Sequence, residues 1–182
     1  MTSAIKILPY YTYDDYCKWE GRWELIDGIP YAMSPAPTPR HQLISNKIKY
    51  QLTDAIIKSG CKNCNVYDFI DIKVEEDTIL QPDAVVVCKE ITKSFLDFPA
   101  SLVVEILSPA TALKDRNSKF YIYEKQGIPY YIIVDVEKKA IEVYHLKEDG
   151  KYQLENIPGS AEYSFHLDTG CSAKVIMDTI WE

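Results

Sequence analysis

Three stretches, AVVV at 84–87, SLVVEIL at 101–107 and YYIIVDV at 130–136, are almost continuously apolar, and each lies close to a proline. A strand with one wet face alternates apolar and polar residues, whereas a strand covered on both faces does not. A chain with several such runs must therefore sandwich the middle of a sheet between two other layers. Glu105, inside SLVVEIL, is the anomaly. A buried, unpaired carboxylate costs several kcal/mol, so this position calls for a cation, a proton or a metal ion beside it.

The length of 182 residues suits one domain, 1–182, with a substantial core. An apolar fraction of 47% excludes a disordered or fibrous chain. No segment approaches the length that crosses a bilayer, and MTSAIKILPYY lacks the apolar core of a signal peptide, so a soluble, cytoplasmic protein is expected. The five cysteines, at 17, 61, 64, 88 and 171, are odd in number and scattered, which argues against a disulfide framework. CKNC at 61–64 has zinc-knuckle spacing. No second C-x-x-C or H-x-H pair completes a four-ligand site, and the cysteines read as small buried or loop thiols.

A net charge of -7 excludes a protein that coats nucleic acid by bulk electrostatics. The segment from Arg40 to Lys62 is an exception, with five basic residues and one acid. That excess reads either as a phosphate-docking surface or as the solvated face of an amphipathic helix. The G-x-S-x-G elbow, the P-loop and the G-x-G-x-x-G fingerprint are all missing, which weighs against the hydrolases and nucleotide-binding proteins built on them.

Along the chain, Thr12 with Asp15 three residues on caps a short helix ending at Gly21. Asp27-Gly28 between apolar runs signals a hairpin, and Thr38-Pro39 opens a helix whose Ile44, Ile48, Leu52, Ala55 and Ile56 share a face until Gly60 stops it. VYDFIDIKV, AVVV and SLVVEIL read as strands, 112–126 as a helix, and YYIIVDV, AIEVYHL, YQLENI and YSFHL as strands before a short C-terminal element. The expected fold is α/β (or α+β): a mixed sheet flanked by helices, with a crossover helix joining the strands that end at 107 and begin at 130.

Asp83, directly after Pro82, stands at the mouth of AVVV, at an edge or irregularity of the sheet. If AVVV and SLVVEIL are neighbours, Asp83 and Glu105 project to a common point, where a divalent cation or a basic partner keeps both ionised. Lys119, four residues after Asp115, is the candidate partner, its plain alternative being an exposed helix ion pair. Asp83 also reads as a turn residue, Glu24 as an outward-facing strand residue, Asp135 as a solvated carboxylate near a strand end, and His41 as a surface or capping residue.

The blocks WELIDGIPYAMSPAPTPRHQLI, QPDAVVV, LVVEILSPAT and KDRNSKFYIYEKQGIPYYIIVD resemble, in order and spacing, the Uma-two family of restriction-endonuclease-like proteins, a branch of the PD-(D/E)xK nuclease superfamily. The resemblance covers residues 10 to 170. It implies a restriction-endonuclease-like core and a metal-dependent endonuclease that cuts DNA, with Mg²⁺ or Mn²⁺ as cofactor. It places the metal on Asp83, Glu105 and the backbone carbonyl of Ile106, and a water-orienting lysine nearby. Leu107 occupies the superfamily's lysine position, and Lys119 on the next helix matches families in which that lysine has moved. Glu24 matches the first-block acid, an additional metal ligand in related nucleases. Cutting both strands with one-site subunits implies a homodimer. A catalytically silent member that binds DNA or a protein is the alternative.

Overall fold

The computed structural model describes residues 8–33, 36–158, 161–168 and 170–182. The chain opens with helix α1 (Tyr13–Tyr16), whose capping box joins Thr12 and Asp15. The hairpin β1 (Trp23–Ile26) and β2 (Ile29–Ala32) turns at Asp27 and Gly28, both with positive φ. Gly28 is required there, because a Cβ would stand 2.3 Å from the Tyr10 ring. Helix α2 (Pro39–Lys58) begins with Pro39 in its first turn, and the Thr38 hydroxyl accepts the His41 N–H at 3.2 Å.

VYDFIDIKV does not form one strand. It divides into β3 (Asn65–Tyr67) and β4 (Ile72–Glu75), which belong to different sheets, with Phe69 between them in the left-handed region. Alternation of apolar residues runs across that break, so periodicity alone conceals it. The expected turn at EEDT leads into β5 (Thr78–Leu80), a strand too short to stand out in sequence. Then follow β6 (Ala84–Val87) and β7 (Leu102–Ile106). The crossover comprises α3 (Ala112–Lys114), a π-helical turn at Asp115–Lys119 and α4 (Phe120–Lys125). The chain finishes with β8 (Tyr130–Asp135), β9 (Ala140–Leu146), β10 (Tyr152–Leu154), β11 (Glu162–Asp168), β12 (Cys171–Ile176) and a 3₁₀ turn, Met177–Trp181.

The main sheet has the order β10-β9-β8-β7-β6-β3, and within it only β7 and β8 pair in parallel. It is the expected mixed sheet. Smaller sheets are β2-β1-β5-β4 and the hairpin β11-β12. Strand β6 lies inside the main sheet, between β7 and β3, rather than at an edge as Pro82 suggested. Pro82 sits just before the ladder, where a missing N–H costs nothing.

Alternate side chains of the central strands feed two cores, as burial on both faces requires. Val86, Val104 and Ile132 meet Ile44, Ile48 and Leu52 of α2 and Phe165 of β11. On the opposite face Val85, Val103 and Ile133 meet Tyr123 of α4 and Leu96. Each fully buried aliphatic side chain contributes about 1.5–3 kcal/mol, which fixes the sheet as the rigid frame of the molecule. Among the described residues no helix is long and apolar enough to cross a membrane.

Candidate active site

Strands β6 and β7 are antiparallel with Ala84 opposite Val104. Continuing that register sets Asp83 against Glu105, and the alternation that sends Val85 and Val103 to one core sends both carboxylates to the same face. Asp83 is tied to the neighbouring strand end: its Oδ2 accepts the Ile106 N–H at 2.8 Å. The Ile106 carbonyl accepts from His41 Nε2 at 3.0 Å, and the same nitrogen lies 3.4 Å from Asp83 Oδ2. His41 therefore bridges Asp83 and the Ile106 carbonyl, two groups that the family resemblance implies as metal ligands. It is a site residue that its sequence position did not reveal; the only signal was its place in the first turn of α2.

Glu105 is 3% exposed and Lys119 2% exposed. The exposed helix pair is thus excluded, and Lys119 reaches the sheet. Its Nζ lies 2.8 Å from Glu105 Oε1, 2.6 Å from Glu24 Oε1 and 3.3 Å from Asp115 Oδ1. Tyr123 donates to the same Glu105 Oε1 at 2.8 Å. Asp115 and Lys119, both buried, lie one turn apart in the π-helical stretch and so share the face that meets the strand end. Arg116 in this turn clamps Glu142 of β9 through two hydrogen bonds of 2.8 and 2.6 Å and so holds the turn against the sheet.

Glu24 is fully buried rather than outward-facing. Its Oε1 accepts the Gln81 N–H at 3.0 Å, and its Oε2 pairs with Lys114. Lys114 and Asp115 join the cluster without having been singled out as site residues in the sequence. Asp135 lies elsewhere, accepting the Lys138 N–H at 3.0 Å in the turn after β8.

The electrostatics follow from burial and partners. Burial pushes the Glu105 carboxyl well above its usual range, and Lys119 only partly offsets this. Burial lifts Asp115 as well. Burial would also lift Glu24, but Lys119 and Lys114 outweigh it and hold Glu24 below the usual range. For Lys119 burial disfavours the charge, yet Glu105, Glu24 and Asp115 raise its pKa well above that of a free lysine. His41 is lowered by burial and raised more strongly by Asp83 and the Ile106 carbonyl.

Four carboxyl groups (Glu24, Asp83, Glu105, Asp115) face two ammonium groups (Lys114, Lys119), so acids outnumber cations before His41 is counted. Glu105 Oε1 receives Lys119 and Tyr123, and Asp83 Oδ2 receives the Ile106 N–H beside His41. Glu105, Asp83, His41, Lys119, Arg22 and Arg40 all line a cavity of about 1220 Å³. Such a set suits a hard cation that takes oxygen ligands.

The Uma2 family model, described as "Putative restriction endonuclease", matches residues 11–170. The chain belongs to the Uma2 family. An uncharacterized protein of Synechocystis is 29% identical over 160 residues, which is 84% of this chain and 83% of that protein. A crystal structure from Anabaena variabilis, titled a putative nuclease of the family DUF820, superposes with a TM-score of 0.71 at 16% identity, covering 93% of this chain and 97% of the other. At that identity the likeness concerns the fold, which is the restriction-endonuclease-like core expected from the Uma2 resemblance.

Proposed function

We propose that this Uma2 chain is a Mg²⁺- or Mn²⁺-dependent endonuclease that hydrolyses DNA phosphodiester bonds in the cytoplasm, acting as a homodimer. The observation that carries the reading is the meeting of Asp83 and Glu105 on one face of the sheet, at a cavity, with the Lys119 ammonium 2.8 Å from Glu105. Asp83, Glu105 and the Ile106 carbonyl would hold the cation, with Glu24 as an additional acid. When bound, the cation supplies Lewis-acid polarisation of a phosphate oxygen and acidifies a water.

The chain's own residues do the rest. Lys119, held among three carboxylates, offsets their mutual repulsion and positions Glu105 beside the cavity. Tyr123 and Lys119 hold Glu105 from one side, which restricts its rotation and sets the direction of Oε2. Arg22 and Arg40 at the cavity place positive charge where the DNA backbone would run, in a protein whose overall charge opposes it. Two copies, each with one such site, are required to cut both strands.

The test is incubation of purified protein with plasmid and linear DNA in Mg²⁺ or Mn²⁺. Wild type should nick and linearise the plasmid, and Glu105→Ala should not; equal background from both ends the catalytic reading. The internal pairing of Glu24 and Glu105 with lysines favours a second reading, a catalytically silent member that binds DNA or a protein. Calorimetric titration with Mg²⁺ and Mn²⁺ separates the two: binding lost in Asp83→Asn supports a working site, and no binding by wild type supports the silent one.

A further inference from the structure

At the far end of β6 from Asp83 the chain gathers four of its five cysteines. Cys61 and Cys64 follow the C-terminus of α2, Cys88 follows β6, and Cys171 opens β12. The structure pairs Cys61 with Cys171 and Cys64 with Cys88 as disulfides, so these residues are not the separate thiols that their scatter suggested. The two pairs are themselves in contact: Cys64 Sγ lies 3.4 Å from Cys171 Sγ, and the sulfurs of Cys64, Cys88 and Cys171 all fall within 4.8 Å of one another. All four sulfurs therefore occupy one small volume, with Cys64, Cys88 and Cys171 buried and Cys61 packed against the same core.

From this convergence we infer that the reduced protein binds one structural Zn²⁺ through the thiolates of Cys61, Cys64, Cys88 and Cys171. A tetrahedral site with bonds of about 2.3 Å spaces its sulfurs about 3.8 Å apart, the scale of the 3.4 Å contact between Cys64 and Cys171. The knuckle CKNC supplies two ligands at the spacing such sites use, and the tertiary structure supplies the other two from positions 24 and 107 residues beyond Cys64. Four sulfurs fill the coordination sphere and leave no open position, so the site is structural rather than catalytic. Soft thiolates select zinc where the carboxylates at the other end of β6 select magnesium.

Reduction of the two disulfides by a thiol reductant such as glutathione takes four electrons and four protons and gives four thiols. Zn²⁺ then displaces the four protons and leaves a tetrathiolate of charge -2. The ion would tie the end of α2 to β3, β6 and β12, so it braces the helix and the strand that carry His41 and Asp83 at their opposite ends.

The experiment is metal analysis and intact-mass measurement of the full chain, purified anaerobically with a thiol reductant from zinc-supplied cells. The expected result is stoichiometric zinc, released when a mercurial titrates the thiols. Replacement by Co²⁺ should bring the intense visible bands of a tetrahedral thiolate site. Cys64→Ser and Cys171→Ser should lose the metal, and Cys17→Ser, which alters the exposed free cysteine, should keep it. Reduced wild type with all five cysteines as free thiols and no zinc overturns the inference. So does a mass that retains both disulfides under reductant, or iron in place of zinc. Because wild type alone decides, misfolding of a serine variant does not obscure the outcome.

Discussion

Strand β6 spans only Ala84–Val87, yet its two ends carry opposite chemistry: Asp83 at the entrance among carboxylates and ammonium groups, Cys88 at the exit among sulfurs. Both clusters draw residues from α2 or its flanks, from the main sheet and from a distant part of the chain. They differ in how each solves burial. The acidic end buries charge and balances it with Lys119 and Lys114, so it is held together by partners whose loss leaves an uncompensated ion. The sulfur end buries side chains that behave as small hydrophobes until they are deprotonated, and it needs no counter-charge to pack. The proposed site for chemistry thus sits where burial is electrostatically expensive, and the proposed bracing site where it is cheap.

The largest effect should come from the acidic end. Glu105→Ala is expected to lower DNA cleavage by roughly 100-fold or more in a plasmid assay, the scale of losing a preorganised electrostatic group. It should leave the zinc content unchanged. Cleavage within a few-fold of wild type would mean that the two ends do not differ as proposed.

Next is stability. Lys119→Met removes a cation that reaches Glu105, Glu24 and Asp115 together, and should cost about 3–5 kcal/mol in urea unfolding at neutral pH. Adding Glu105→Gln to Lys119→Met should recover part of that loss, because one buried charge is then gone. Without any recovery, the cost would lie in packing and not in charge.

A crossed experiment sharpens the contrast. Removing zinc with a chelator under reducing conditions should lower the melting temperature by several degrees, and added Mg²⁺ should not restore it. Restoration by Mg²⁺ would mean that the two ends are not distinct in their metal preference.

The smallest effect concerns the clamp on the π turn. Arg116 holds the Glu142 carboxyl below its usual value, so the folded state binds that proton less tightly than the unfolded chain. The pair's contribution is therefore present above the unfolded value near 4.5 and is lost as pH falls through the lower, folded value. Glu142→Gln should cost about 0.5–1 kcal/mol at pH 7 and almost nothing in strong acid. A penalty independent of pH, read from urea curves at both conditions, would point to shape instead of charge.

How much of this was readable before the fold was known depends on the type of signal. AVVV, SLVVEIL and YYIIVDV emerged as β6, β7 and β8 with the expected crossover, because continuous apolar runs leave few alternatives. The helix from Pro39 was bounded by its cap and by Gly60. The break within VYDFIDIKV, the short β5 and the strand β12 were not readable, since pairing partners and not local pattern define them.

In the site, Glu105 announced itself because a charge inside an apolar run violates the local pattern. The family resemblance pointed to Asp83, Lys119 and Glu24, and the fold brings Glu24, Glu105 and Lys119 into direct contact with Asp83 beside them. His41, Lys114 and Asp115 obey ordinary helix patterns and carried no such warning. The cysteines carried the least: a thiol in a strand end is indistinguishable from any small apolar residue.

Local sequence, then, determined which segments would be strands and helices and that one strand had to shelter a carboxylate. Those are nearest-neighbour properties of periodicity and burial. Which cation would meet that carboxylate, and that four cysteines up to 110 residues apart would share one volume, was decided only when the sheet register and the π turn set the distances. Side-chain partners depend on three-dimensional separation, which no local pattern encodes.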